Sequence, residues 1–561
     1  QTCAAEKRRR RKRGLMEDPK KRVVINKDVC EGCGDCSVQS NCVSIEPLET
    51  ELGRKRKINQ SNCNKDYSCI KGFCPSFVTV DAEIKNNTGF KDLGELPEPQ
   101  FKTKQDINNI MLTGIGGTGV LTISAILAYA AHYEGKDASV LDMTGLAQKG
   151  GAVWSHIKIF EKNNKPYSQK IAPGAANVLL ACDGVVGTKP EIQEVISKEK
   201  TIAVLNSNTI PVADFITQRD IDFKNNDVFQ MLENTTNTII SSVPAINISE
   251  KLSGDAIGTN MLMLGSAYQN GLIPLKAENI FKAIELNGIG IERNIYNFNL
   301  GRLYTINPNH EIFSFLAENE VLNLNSIELF EDRLKRIENY DQRVVDDFIK
   351  DKNTIDQILS EEADTENITK EAIKELYRVY AIKDEYEVAR MHLESTSKIL
   401  DNTFTAWNNL KFYLSPPIIS FIKDKRTQRP IKIAIPGYIA LPIFKILKSM
   451  KFLRGTIFDP LNLTEDRRRD KEHKAIFRNK LAEISNLITG VKSNKLLELI
   501  EASKEVKGYG PVRAESYEIF KSRINFTSKK GLRVLSNIFR FKTRNNIQAK
   551  KHKAQKENRA E

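Results

Sequence analysis

Apolar and polar positions divide the chain into three stretches of different character. From Ile107 to about Ala317, short apolar runs of strand length alternate with longer segments that are apolar at helical spacing. Ile110–Thr113, Ala138–Met143, Val178–Ala181, Thr201–Leu205 and Thr238–Val243 read as buried strands. Val120–Ala131, Pro190–Ser197, Ala256–Asn270, Leu275–Leu286 and Ile291–Leu303 read as helices. This alternation predicts an α/β domain over residues 107–317, built on a doubly wound and largely parallel sheet. Beyond it the strand signals fade. Glu320–Tyr340, Val344–Leu359 and Thr369–Leu400 are charged, apolar at helical spacing and free of Pro and Gly, so they predict amphipathic helices. Prolines 416, 417, 430, 436 and 442 punctuate the next stretch, and helical patterns resume at Lys471–Ile488 and Asn494–Glu505. Residues 318–545 therefore read as a separate, mostly helical domain, followed by a basic tail, 546–561. Ahead of Ile107 lie a cysteine-rich module, 23–84, and a polar segment with Pro97 and Pro99, 85–106, that reads as a linker.

The length, 561 residues, supports roughly three or four domains. An apolar fraction of 40% with 28% charged residues is that of a globular chain. The longest apolar-leaning stretch, Val120–Ala131, falls short of the ~20 residues that span a membrane. No apolar leader follows the polar, basic first residues, and a cytoplasmic location is expected. The chain begins at Gln1 rather than Met, so further sequence is expected upstream of 1–22. A net charge of +13 includes basic blocks at Lys7–Arg13 and Lys550–Lys556. Such blocks can bind nucleic acid, but no recognition module accompanies them, and they read as solvated tails. A basic surface also steers acidic partners.

Seven of the nine cysteines fall between Cys30 and Cys74. The first run is Cys30-x2-Cys33-x2-Cys36, with Cys42 after five residues; the second is Cys63-x2-Asp66-x2-Cys69, with Cys74-Pro75 after four. This is the layout of a bacterial two-cluster ferredoxin, in which three close thiolates hold one cluster and the fourth ligand comes from the other run. Crossing the ligands assigns Cys30, Cys33, Cys36 and Cys74 to a [4Fe-4S] cluster. Cys42, Cys63 and Cys69 remain for a second cluster, with Asp66 in the fourth position. A carboxylate holds such iron less firmly than a thiolate, so the second cluster is expected as [4Fe-4S] or [3Fe-4S]. Structural zinc would call for two CxxC pairs or Cys/His mixtures, and disulfides for an oxidising compartment and an even count.

Gly114, Gly116 and Gly119 form G-x-G-x-x-G between a predicted strand and a predicted helix, with Gly117 inside it and Asp142 at the end of the next strand. Such a loop lets backbone N–H groups at a helix N-terminus meet a phosphate. Taken alone it suggests an NAD(P)-binding dehydrogenase or a plain tight turn. Lys149, Gly150 and Gly151 form a second loop able to approach a carboxylate or phosphate.

GIGGTGVLTISAILAYAA, then LDMTGLAQKGGAVWSHIKI at Leu141–Ile159 and APGAANVLLACD at Ala172–Asp183, resemble the gamma domain of 2-oxoacid:ferredoxin oxidoreductases. The cysteine module, with QSNCNKDYSCIKGFCPSFV, is similar to that of the fused bacterial indolepyruvate ferredoxin oxidoreductases. So are YEVARMH (Tyr386–His392), LRGTIFDP (Leu453–Pro460) and GYGPVR (Gly508–Arg513), and TCAAEKRRRRKRG looks like the segment that joins the thiamine domain to this module. The resemblance implies oxidative decarboxylation of an aryl 2-oxo acid to an acyl-CoA, with electrons passing through two iron–sulfur clusters to a soluble ferredoxin. It also implies coenzyme A as co-substrate, with thiamine diphosphate and Mg in domains or a subunit not found in this sequence. A homo-oligomer is expected. No catalytic residue of the decarboxylation can be carried over, and the glycine loop is not a known hydride-cofactor site in that family. His156 and Cys182 read as structural residues, no role attaches to Cys3 in its basic strip, and no mechanism attaches to Arg390 and His392.

Overall fold

The computed structural model describes residues 3–524, apart from 13, 85–89, 102–105, 146–150, 209–224, 320–323, 361–364, 417–421, 426–427 and 489–490. The C-terminal basic block therefore lies outside the described residues.

The cysteine module is built on β1 (Lys21–Ile25) and β4 (Phe77–Ile84), paired antiparallel, with a second hairpin of β2 (Ile45–Leu48) and β3 (Lys55–Ile58). Between these strands sit the two cysteine runs. The module's own core is small, with Val23, Ile25, Ile45 and Phe77 packed directly against buried cysteines.

In the next domain the sheet order is β10-β9-β8-β5-β7-β6. Its strands are β5 (Ile107–Ile115), β6 (Asp137–Thr144), β7 (Ala152–Phe160), β8 (Val178–Ala181), β9 (Ile202–Asn206) and β10 (Thr238–Val243). β5, β8, β9 and β10 run parallel, as the buried apolar runs predict. The sheet is nevertheless mixed rather than wholly parallel, because β7 lies antiparallel between β5 and β6. Only residues 145–151 separate β6 from β7, too few for the crossover a parallel neighbour needs. The apolar runs do not single out β7, since Ser155, His156 and Lys158 are buried within it. The segment 85–106 is also more than a spacer. Leu93 and Leu96 pack against the domain's core, and Arg302 donates to the Leu96 and Pro97 carbonyls at 3.2 and 3.0 Å.

The last region is mostly helical, but it is not separate from the cysteine module. β11 (Phe404–Leu414) pairs antiparallel with β4, and β12 (Ile433–Pro436) pairs with β11, giving a sheet of order β1-β4-β11-β12. Phe404, Phe412, Ala440 and Phe444 share one core with Val24, Val78 and Val80. The long helix expected over Thr369–Leu400 divides into Glu366–Tyr380 and Glu385–Thr403. Asp384 caps the second of these through Glu387 N at 2.8 Å and binds Arg454 and Arg467, so a buried charge at the break outweighs helical continuity.

The cysteine module meets the mixed-sheet domain through Asn59, which donates to Glu46 at 2.8 Å and Glu250 at 2.7 Å. Burial first, and the nearby Glu46 next, push the Glu250 carboxyl up to about 7. Since this folded-state value lies above the unfolded one, the contact's contribution is complete at low pH and is lost as pH rises from 4.5 through 7. Glu250→Gln should thus stabilise the chain at pH 8 by on the order of 1 kcal/mol and have little effect at pH 5, as read by thermal unfolding at the two values. An equal effect at both would remove the charge of Glu250 as the cause.

Candidate iron–sulfur site

Both cysteine runs curl in the same way. In the first, Gly32 and Gly34 flank Cys33 with φ of 71° and 72°; in the second, Lys65 and Tyr67 flank Asp66 with φ of 54° and 59°. Gly32 N donates to Cys30 Sγ at 3.3 Å, and Lys65 N to Cys63 Sγ at 3.4 Å. Each run then enters a short helix, Asp35–Ser40 or Ser68–Lys71, through a left-handed residue. Left-handed lysine and tyrosine cost more than glycine, of order 1 kcal/mol each. The second loop keeps the geometry of the first without the residue type that favours it.

These loops bring the predicted groups together. Cys30, Cys33, Cys36 and Cys74 all line one small hollow, together with Gly34, Asp35, Gly72 and Phe77. A methyl group on Gly72 would lie 2.7 Å from Cys36 Cα, so glycine permits the close approach of the Cys74 loop to the first run. Burial first, and neighbouring cysteine charges next, push up the Cys33 and Cys36 thiols. Burial likewise pushes up Cys74, opposed by Lys432 and by Ser76, whose Oγ lies 2.9 Å from Cys74 Sγ. Thiolates crowded here are stable only against a bound cation. Among the described residues no three His, Cys, Asp or Glu side chains converge on a point for one metal ion. The four sulfurs instead ring a space, an all-sulfur donor set that fits a [4Fe-4S] cluster.

In the second set, burial and then Cys63, Cys42 and Asp66 push up the Cys69 thiol, so these three groups lie within electrostatic range of it. Asp66 is exposed, and its Oδ1 accepts from Ser68 N at 3.0 Å and Ser68 Oγ at 2.7 Å. Its carboxylate is thus engaged in a turn.

The basic block at Lys7–Arg13 is not a free tail. Within the helix Ala4–Lys12, Arg8 donates to Ser61 O at 2.9 Å and Arg11 to Asn64 O at 2.5 Å, on either side of Cys63. A cleft beside Cys63 is lined by Arg8, Arg11, Arg22, Lys65 and Arg293 against Asp18 and Asp255. An unbroken run of Lys and Arg gives no sign of this docking.

The glycine loop joins β5 to the helix Val120–Tyr133, with Gly117 and Gly119 at φ of 87° and 98°. Gly116 N donates to Gly151 O at 2.7 Å, so the two glycine loops meet. Lys149 and Gly150 lie outside the described residues. Asp142 accepts from Ser124 at 3.0 Å and from Ser155 at 2.5 Å, and β7 separates its strand from β5. A ribose-binding acid belongs on the strand beside the glycine loop, so the dinucleotide reading loses its second element. His156 is buried and accepts from Ile171 N at 3.3 Å, and Cys182 is buried. His392, to which the sequence attached no role, is buried with Nε2 3.0 Å from Pro75 O, directly after Cys74.

Residues 109–304 match the family described as Pyruvate ferredoxin/flavodoxin oxidoreductase, and residues 328–525 match a Family of unknown function (DUF6537). The chain is 28% identical over 177 residues to the indolepyruvate oxidoreductase subunit IorB of Archaeoglobus fulgidus, covering 31% of this chain and 83% of that protein. Its likeness to the subunit of that name from Pyrococcus horikoshii is 25% over 197 residues, covering 34% and 93%. The crystal structure of the pyruvate oxidoreductase subunit PORC from Thermotoga maritima matches with 19% identity and a TM-score of 0.25, over 35% of this chain and 96% of that one. The likeness to ferredoxin-linked oxidoreductases thus lies in the domain at 109–304, about a third of the chain.

Asp66→Cys should convert an oxygen-labile second cluster into a stable four-iron one, because thiolate is the better ligand. Electron paramagnetic resonance during timed air exposure checks this. Identical oxygen sensitivity in wild type and variant would remove Asp66 from the ligand set.

Proposed function

We propose that this chain is the electron-conducting and gamma-type portion of an indolepyruvate-type 2-oxoacid:ferredoxin oxidoreductase. The observation that carries the reading is the convergence of Cys30, Cys33, Cys36 and Cys74 on one small hollow, in a chain that also carries a match to an oxidoreductase family. The relatives named indolepyruvate oxidoreductase subunits support the choice of aryl 2-oxo acid over other members. Cys30, Cys33, Cys36 and Cys74 would hold one [4Fe-4S] cluster, and Cys42, Cys63, Cys69 and Asp66 a second. Such clusters supply one-electron carriage at potentials that the surrounding protein sets.

What the chain's own residues do follows from their places. Gly32 N and Lys65 N donate to sulfurs and so stabilise negative charge on them. The apolar packing of Ile25 and Phe77 keeps water from the first set. Arg8, Arg11, Lys65 and Arg293 give the second set a cationic approach, suited to an acidic soluble ferredoxin as acceptor. The decarboxylation itself belongs to thiamine diphosphate with Mg, and the acyl product to coenzyme A; no residue of this chain is assigned to either. The glycine loops at Gly114–Gly119 and Lys149–Gly151 remain candidates for contacting an anionic substrate group. A cytoplasmic, homo-oligomeric enzyme completes the reading.

Electron delivery to an acidic ferredoxin from the pre-reduced chain, followed by stopped flow, tests it. The second-order rate should fall by roughly tenfold or more between low salt and ~0.5 M, as screening removes the steering. NADH and NADPH should neither reduce the chain nor bind it saturably. Reduction by NADH without transfer to ferredoxin would contradict the reading in favour of a dehydrogenase.

A further inference from the structure

The region that matches a family of unknown function reaches both cysteine loops at several independent points. Lys432, at the edge of β12, donates to Ile70 O at 3.0 Å and Gly72 O at 2.8 Å. Those carbonyls lie in the short segment between Cys69 and Cys74, the segment that links the second set to the first. Burial pushes the Lys432 ammonium down, and the nearby sulfurs of Cys74, Cys36 and Cys69 oppose this, so the side chain lies within electrostatic reach of cysteines from both sets. Arg429 lies 2.8 Å from Asp35 Oδ1, and Asp35 Oδ2 accepts from Phe73 N at 2.7 Å. One ion pair thus ties the run before Cys36 to the loop before Cys74.

In the same region, Lys383 donates to Cys30 O at 2.9 Å and pairs with Glu31 at 3.0 Å. Tyr509 OH donates to Val29 O at 2.6 Å. A methyl group on Gly508 would stand 3.4 Å from Cys33 Cβ, and one on Gly510 would stand 2.5 Å from a Phe73 ring carbon. Little beyond glycine fits between this turn and the cysteine loops. The same region also extends the module's sheet through β11.

We propose that the C-terminal region forms the outer wall of the two-cluster site, and that Lys432 and Arg429 are positioning residues that set the potentials at which the clusters take up electrons. This rests on the iron–sulfur reading above. Reduction adds one negative charge to a cluster, and a fixed cation nearby in a poorly solvated site favours the reduced form. Lys432, between the sets, raises both potentials. Arg429 offsets the Asp35 carboxylate and acts on the first set alone.

The full chain, isolated without air, and its Lys432→Met, Lys432→Arg and Arg429→Gln variants are titrated potentiometrically with detection by electron paramagnetic resonance. Lys432→Met should weaken electron uptake at both clusters by roughly tenfold or more, about 59 mV more negative per tenfold for a one-electron couple. Lys432→Arg should retain most of the wild-type value, and Arg429→Gln should lower the first potential alone. Unchanged potentials in loaded Lys432→Met protein would overturn the inference. Loss of clusters in both Lys432→Met and Arg429→Gln would also overturn it, leaving a purely structural wall. A wild-type chain without iron would instead overturn the iron–sulfur reading on which it rests.

Discussion

Crowded, buried sulfur is the constraint on which the rest of this structure depends. Seven cysteines fall within a module whose own apolar core is a handful of side chains. Burial and mutual repulsion push several of these thiols up, so sulfurs deprotonated here to act as ligands would need positive charge among them. Iron supplies that charge within the proposed clusters. The rest comes from outside the module, from Lys432 near the Cys69–Cys74 segment and from Lys383 beside Cys30. A small module with so little apolar core gains from added packing, and the shared sheet with β11 and β12 supplies it.

The convergence of four cysteines on one hollow was legible because cysteine spacing is a local property of the chain. Cys30, Cys33 and Cys36 lie on one tight loop, and the crossing of Cys74 follows from the two-run layout. The pairing of Gly32 with Lys65, and of Gly34 with Tyr67, was hidden, because lysine and tyrosine carry no sign of left-handed backbone. His392 and Lys432 were likewise hidden. Each meets the cysteine loops across more than 300 positions of sequence, a relation that hydrophobic pattern cannot encode.

The fold divides along the same line. A fully apolar run such as Val178–Ala181 announced the parallel half of the sheet, where its residues are buried on both faces. β7 escaped notice because its buried positions include Ser155, His156 and Lys158. Its antiparallel insertion has a functional consequence, since it moves Asp142 away from the glycine loop. The strand Phe404–Leu414 escaped because it alternates weakly and carries exposed positions, and its role is to extend another domain's sheet. The break at 381–384 is set by Asp384 and its two arginines, partners 70 and 83 residues away.

The central claim is that these sulfurs hold iron and sulfide rather than zinc. Iron, acid-labile sulfide and zinc, measured together on protein isolated without air, test it most directly. The account predicts a brown protein with about seven or eight irons per chain, a comparable amount of sulfide and little zinc. A colourless protein with one or two zinc ions and no sulfide would contradict it.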